Sequence, residues 1–445
     1  MKIKDFTKQL HKLMLIAPVA LVILLHNGAF AQTANDDNEQ GDVSTVLTPH
    51  SSDAIFSTNA SYTFSIKNTF NKTESGKVSY VVMDQFNKKL LIDSIPVNIG
   101  RNSTENLNVS IPSFKSGFYK INFMINVSDY DDTTRRVFGI RADEIRSKYP
   151  KPADFDQFWE NTKAELEAIK PDFQMVEKPD SEQYGEKVYL ISFKSLDNMT
   201  IRGWMTIPGD QPKGKKFPVL MILPGYQANT KPLQGPNTEM CFISVDVRGQ
   251  GMNRPDMEMK REDYIVSHIE DKNKYIMRGI IMDCIRYVDF VCSRPELDHS
   301  RIAVTGGSMG GYMSLTTAAL DHRVSLCAPQ NPFLSDIYNM DHGAVQWPMQ
   351  RMRDYASIKP GLTFDKILNN LQYFDTKNFA DMIQCPVLLG IGLLDPFVPP
   401  NNSFAVYNNI HSEKKIIVFK DLGHEVGKKY DTYEELWMRD KFALF

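Results

Sequence analysis

One stretch of this chain leaves few choices of fold: Arg301-Ile302-Ala303-Val304-Thr305-Gly306-Gly307-Ser308-Met309-Gly310-Gly311. The apolar run at residues 302–304 suits a buried strand. Residues 312–320, after the glycines, read as a helix. Strand, Gly-x-Ser-x-Gly and helix in that order form the nucleophile-elbow pattern. A serine at the tip of so sharp a turn leaves no room for side chains on its neighbours, so glycines stand there. The turn also aims backbone N–H groups at a helix N-terminus, where a developing oxyanion can sit. The competing reading is a glycine-rich turn with an incidental serine, and the flanking strand and helix argue against it.

The elements around this stretch alternate. Residues 160–169 read as a helix, and residues 188–193 and 200–207 as paired strands. Residues 217–223 and 240–247 are near-continuous apolar runs, as in parallel sheets covered on both faces. Residues 269–292 carry one apolar stripe and read as a long helix. Two late strands are expected at 386–391 and 415–419. The pattern predicts a doubly wound α/β domain over residues 150–445. Ahead of it, alternation at Tyr62, Phe64 and Ile66, at Leu107, Val109 and Ile111, and at Tyr119, Ile121, Phe123, Ile125 and Val127 predicts a small antiparallel β-sandwich domain over residues 45–149. Loops such as residues 71–76 separate its strands. It shows no cluster of catalytic groups and reads as a spacer or packing domain, with carbohydrate binding as the lesser alternative. Its removal is expected to leave turnover of a small ester largely intact.

A serine hydroxyl needs a base to become a nucleophile, and that base needs an orienting carboxylate. In elbow-type hydrolases the order is Ser, then Asp or Glu, then His, each in a loop after a strand. Asp395 follows the first late strand and His424 the second. Of the nine histidines, only His424 follows a late strand with a glycine before it. The predicted catalytic residues are therefore Ser308, Asp395 and His424. Oxyanion donors are expected from the N–H groups of Met309 and Tyr226, the latter in Pro224-Gly225-Tyr226-Gln227. An ordinary β-turn at that strand end is the alternative for Tyr226. This chemistry calls for no metal and no cofactor.

Three stretches, Asp246-Val247-Arg248-Gly249-Gln250-Gly251, Gly306 to Gly311 and Gly423-His424-Glu425, resemble the signatures of the acetyl xylan esterase and cephalosporin C deacetylase family, carbohydrate esterase family 7. The resemblance runs from about Pro152 to the C-terminus and takes in Asn331-Pro332-Phe333-Leu334 and Tyr373-Phe374-Asp375. It implies an α/β-hydrolase fold and a serine esterase that removes acetyl groups from acetylated sugars such as xylo-oligosaccharides, through an acetyl-serine intermediate. It also implies structural roles for Arg248, Gln250 and Glu425, substrate contact by Tyr226, and a homo-oligomer, by analogy a hexamer. Met309 stands where the family usually has Gln, and Pro224 where it usually has His. The first change bears on the acyl pocket, since the oxyanion donor is backbone.

Two rivals share some of these features. A prolyl-oligopeptidase-type peptidase has the same elbow and order, but residues 45–149 are too few for a propeller of four-stranded blades. A non-catalytic sugar-binding protein would have no need of the complete Ser308, Asp395 and His424 set. A net charge of −3 gives no reason to expect a nucleic-acid partner. Lys2, Lys4, Lys8 and Lys12, the apolar run at 13–25 and Ala29-Phe30-Ala31 predict a signal peptide over residues 1–31. A membrane anchor is the alternative, though the run is short and contains Pro18. The reading implies export to the periplasm or beyond, with no membrane span afterwards. Residues 32–44 read as a flexible polar leader. The five cysteines match no zinc or disulfide spacing, and Cys241, Cys327 and Cys385 read as buried hydrophobes.

Overall fold

The computed structural model describes residues 41–209, 214–235, 239–341 and 347–444. The predicted signal peptide and most of the predicted leader lie outside them. Within residues 41–140 are β1 (Val43–Pro49), β2 (Ile55–Phe56), β3 (Ala60–Asn68), β4 (Glu74–Met83), β5 (Lys89–Ile99), β6 (Ser103–Ile111), β7 (Gly117–Val127) and β8 (Tyr130–Ile140). They form a three-stranded sheet, β1-β3-β6, and a five-stranded sheet, β2-β8-β7-β4-β5. All pairs are antiparallel except the short β2, which runs parallel to β8. The alternating residues of β3 and β7 point into one apolar core, where Phe64 stacks on Phe123 with centroids 5.5 Å apart.

Two local expectations need correction here, and one strand went unread. The leader ends earlier than residue 44, because Val43 is buried and pairs with Asn68. The loop at 71–76 is shorter, because Glu74 to Gly76 already pair with β5 and β7, and a side chain on Gly76 would meet the Asn126 carbonyl at 2.0 Å. β5 has little apolar alternation to read. It is an edge strand, mostly exposed, and it tolerates Pro96 for that reason.

The second sheet has nine strands: β9 (Gln174–Glu177), β10 (Glu186–Lys194), β11 (Thr200–Pro208), β12 (Phe217–Ile222), β13 (Cys241–Ser244), β14 (Leu297–Gly307), β15 (Leu326–Gln330), β16 (Val387–Gly392) and β17 (Lys414–Phe419). Their order is β17-β16-β15-β14-β12-β13-β11-β10-β9. β12 to β17 are mutually parallel, and β9 to β11 are antiparallel additions at one edge. Helices α1 (Phe155–Glu167), α2 (Ile276–Cys292), α3 (Met309–Leu320), α4 (Ile337–Asp341), α5 (Met349–Ile358), α6 (Phe364–Leu371), α7 (Lys377–Ala380), α8 (Pro400–Asn409) and α9 (Gly427–Lys441) connect and cover it. This is the α/β layering that the alternation predicts.

The long helix starts at Ile276 instead of residue 269. His268 has φ 57°, and the Asp271 carboxylate accepts the Asn273 N–H at 2.9 Å, so the polar segment before Ile276 forms turns. The first helix begins at Phe155 and ends at Glu167. Cys241, Cys284 and Cys327 are fully buried and unpaired, and so is most of Cys385. No helix among the described residues is long and apolar enough to cross a membrane.

The N-terminal strands do not close their core alone. Successive side chains of a strand point to opposite faces. On β16, Leu388 packs towards Tyr430 of α9, while Leu389 and Ile391 join the core of the N-terminal sheets. Leu393 and Phe404 join the same core, and Phe404 meets Phe118 of β7 at 5.0 Å. A parallel sheet needs cover on both faces. At the β16–β17 end, the N-terminal sheets and α8 supply one of those covers.

Candidate active site

Ser308, at the tip of β14, has φ 57° and ψ −114°. A side chain held there costs about 1–3 kcal/mol, so the surroundings must enforce it. Ser308 N–H donates to the Gln330 carbonyl at 2.9 Å, and the Ser308 carbonyl accepts from Phe333 and Tyr312, both at 3.0 Å. The neighbouring glycines are obligatory for a plain reason of space. A Cβ on Gly306 would lie 2.5 Å from the Leu223 carbonyl oxygen, and one on Gly310 would lie 2.3 Å from it. Met309 opens α3, where the first N–H groups have no intrahelical acceptor. Its side chain is wholly inside the main apolar core.

The predicted partners meet. His424 Nδ1 lies 2.7 Å from Asp395 Oδ2. The other carboxylate oxygen accepts the N–H groups of Phe397 and Val398 at 2.7 and 2.9 Å. The Asp395 side chain is fully buried and that of His424 is 21% exposed, so the imidazole alone reaches solvent. Ser308, Asp395 and His424 follow β14, β16 and β17, strands of one parallel ladder, at their carboxyl ends. Open α/β sheets gather ligands at that edge.

The strand between them contributes a residue that the chain order does not single out. Asn331 follows β15; its amide Nδ2 donates to the His424 carbonyl at 2.6 Å, and its Oδ1 accepts the Gly392 N–H at 3.1 Å. It ties the histidine loop to the aspartate strand. Its one sequence signal is its place at the head of Asn331-Pro332-Phe333-Leu334. Asn331→Leu leaves a buried N–H unpaired, so a stability loss of about 1–3 kcal/mol is expected. A fall in kcat larger than any change in KM should accompany it. Urea unfolding and steady-state kinetics check both.

On the opposite side, Tyr226 and Gln227 follow β12. Gln227, at φ 55°, donates its N–H to Gln250 Oε1 and its side-chain amide to the Arg261 carbonyl. Burial pushes the Tyr226 phenol above its ordinary pKa. Gln250 shares its loop with Arg248. That guanidinium is bidentate on Asp283, at 2.9 and 2.8 Å, and also reaches Asp197 at 3.1 Å. Burial works against its charge, yet these carboxylates keep its pKa above the usual arginine value. A Cβ on Gly279 would fall 2.1 Å from Arg248 Nη1, so α2 needs glycine where the arginine crosses it. Glu425 is exposed, and no hydrogen bond to its side chain is found among the described residues, unlike Arg248 and Gln250.

One aromatic ring not singled out as a site residue in the sequence meets the imidazole, and others pack behind it. Phe397 meets His424 edge-on at 5.0 Å, and Trp347 touches Phe397, Phe333 and Tyr226 at 6.1, 5.6 and 5.1 Å. Among the described residues, no group of three or more His, Cys, Asp or Glu could hold a metal ion.

The parallel sheet with an elbow serine and an Asp–His pair at its carboxyl edge defines an α/β-hydrolase of the serine type. Residues 141–441 match the acetyl xylan esterase family (AXE1), and the chain belongs to that family. It is a carboxylic ester hydrolase. Acetyl esterase Axe7A of Xylanibacter ruminicola is 29% identical over 316 residues, which cover 66% of this chain and 69% of that protein. Among solved structures, the acetyl xylan esterase from Paenibacillus sp. R4 superposes with TM-score 0.62 at 29% identity, covering 67% of this chain and 98% of that one. Acetyl xylan esterase 1 from Thermoanaerobacterium sp. JW/SL YS485 gives TM-score 0.60 at 27% identity, covering 67% and 97%.

Proposed function

We propose that Ser308, His424 and Asp395 remove acetyl groups from acetylated xylo-oligosaccharides. The observation that carries this reading is the 2.7 Å contact between Asp395 and His424 Nδ1, together with the elbow conformation of Ser308. Asp395 fixes the tautomer with the proton on Nδ1, which leaves Nε2 as the base. His424 takes the Ser308 proton as Oγ attacks the acetyl carbonyl. The N–H groups of Met309 and Tyr226 receive the oxyanion. The sugar hydroxyl leaves with the proton from His424, and water activated by the same residue releases acetate. Gln250 acts as a positioning residue, because it holds the Gln227 N–H next to the Tyr226 donor. The test is acetate release from acetylated xylo-oligosaccharides, other acetylated sugars and intact polymer. Turnover of none of these would sink the assignment.

A second expectation concerns acyl length. Each methylene excluded from a tight pocket costs about 1–3 kcal/mol in transition-state binding. On p-nitrophenyl esters, kcat/KM should therefore fall from acetyl to propionyl to butyryl. Butyryl above acetyl would contradict a deacetylase. The Met309 side chain is fully buried, so if it lines the acyl pocket it does so from inside the core. Met309→Gln then gives a steeper fall along the series, and an unchanged slope removes Met309 from acyl selection. Export by a signal peptide and assembly into a hexamer complete the proposal, and cell fractionation and light scattering test them.

A further inference from the structure

Phe397 is 39% exposed, yet it stands beside the candidate base, with its ring centroid 5.0 Å from that of His424. A single exposed phenylalanine needs no explanation in itself. The surroundings set this one apart. Its other ring neighbour, Trp347, also touches Tyr226, so Phe397 ends an arc of rings that runs from the oxyanion loop to the imidazole. Both of its ring contacts are edge-on, at 79° and 89°, and among the described residues no ring is stacked flat on it. Its loop is stiff. Asp395 Oδ1 accepts the N–H groups of Phe397 and Val398, the Val398 side chain is buried, and Pro396, Pro399 and Pro400 have fixed φ on either side. A preorganised loop thus presents the ring to solvent, and a ligand that covers it pays little for ordering the protein.

We propose that Phe397 is a specificity-determining residue that stacks on the pyranose ring carrying the ester, on the leaving-group side of the reaction. The inference rests on the deacetylase reading and adds how the sugar is held. His424 hands its proton to the departing sugar oxygen, so that oxygen must come within about 3 Å of Nε2. The sugar ring begins one bond beyond it, within reach of a phenyl ring centred 5.0 Å from the imidazole. The face of an aromatic ring carries partial negative charge. C–H bonds next to oxygen are partially positive and meet such a face as weak donors. A xylopyranose with equatorial hydroxyls turns only axial C–H bonds to its faces and has no hydroxymethyl group in the way. A short alcohol offers no such face.

The experiment measures kcat/KM for methyl β-xylopyranoside monoacetate and for ethyl acetate, whose leaving group has no ring, and takes their ratio. A change in His424 itself alters both rates and cancels. Phe397→Ala should lower the ratio about tenfold, mainly through KM for the xyloside. Phe397→Tyr keeps the aromatic face and should hold the ratio within about twofold of wild type. Phe397→Leu fills much of the same space without that face; it should resemble alanine, and it decides the matter if Phe397→Ala folds poorly. An unchanged ratio in Phe397→Ala, or a full ratio in Phe397→Leu, overturns the proposal. So does a gain of butyryl over acetyl p-nitrophenyl ester in Phe397→Ala, which would put the ring in the acyl pocket. Nuclear magnetic resonance titration with methyl β-xylopyranoside, the deacetylated product, reads the same contact without turnover. Binding should weaken in the alanine and leucine variants and persist in the tyrosine variant; equal binding by all of them overturns the proposal. Failure of the deacetylase reading looks different: the wild type turns over no acetyl ester, while the titration still separates the variants with a ring from those without.

Discussion

Ser308→Ala is expected to lower kcat on p-nitrophenyl acetate by on the order of 10³ or more, with the far-ultraviolet circular dichroism unchanged. The oxyanion donors would remain, because both are backbone groups, so a residual rate above water should persist. The size of the loss follows from the chemistry: without Oγ there is no acyl-enzyme, and His424 can only assist direct attack by water. The stability readout separates strain from catalysis. Alanine has the same backbone limits as serine, so φ 57° and ψ −114° stay costly and the melting temperature should barely move. Ser308→Gly removes the Cβ that makes this conformation costly, so it should be as inactive as alanine yet melt higher. Near-wild-type turnover in either variant would remove the serine mechanism. Equal melting temperatures for the two would mean that the elbow is not strained.

The proposed catalytic order was readable because each of its residues follows a strand with a readable apolar run. Ser308, Asp395 and His424 stand after β14, β16 and β17, and those strands are dense in Val, Ile and Leu. Asn331 was not, because β15 is only Leu326-Cys327-Ala328-Pro329-Gln330, too short and too poor in β-branched residues to mark a strand. The chain of contacts from Phe333 through Trp347 and Phe397 to His424 was hidden for another reason. These residues come from separate loops, and no periodicity relates them. Arg248 and Gln250 could be placed by motif, but their partners could not. Asp283 lies inside α2 on a face that reads as core, and only the folded chain brings it under Arg248. The packing of the N-terminal sheets was illegible as well. Alternation in β3 and β7 predicts one buried face, and it cannot say that Leu389 and Ile391 of β16 complete the same core.

That shared core changes what truncation should do. With the N-terminal strands read from sequence as a spacer, removing residues 32–145 leaves the esterase largely active. The structure argues the reverse. Removal exposes Leu389, Ile391, Leu393 and Phe404, all of them buried in the full chain. At about 1.5–3 kcal/mol per large apolar side chain, four of them amount to about 6–12 kcal/mol. The whole stability of an ordinary domain is about 5–15 kcal/mol. Polar ties would also go: Phe118 N–H to Asn401 Oδ1 at 3.0 Å, Asn401 Nδ2 to Gln85 at 2.6 Å, and Asn408 Nδ2 to the carbonyls of Ala142 and Ile145. Asn401 stands six residues after Asp395, so even a remnant that folded would hold the Asp395 carboxylate less firmly. The truncated chain is therefore expected to be aggregated or unfolded by size exclusion and circular dichroism. Any soluble fraction should turn over p-nitrophenyl acetate at least about tenfold more slowly than the full chain. A milder variant tests the same contact without removing a strand. Phe404→Ala should cost about 3–5 kcal/mol in urea unfolding, and Phe118→Ala should be non-additive with it, because the two rings touch. A soluble, monomeric remnant with full activity, or additive effects of the two substitutions, would mean that the N-terminal sheets only rest against the hydrolase and do not complete its core.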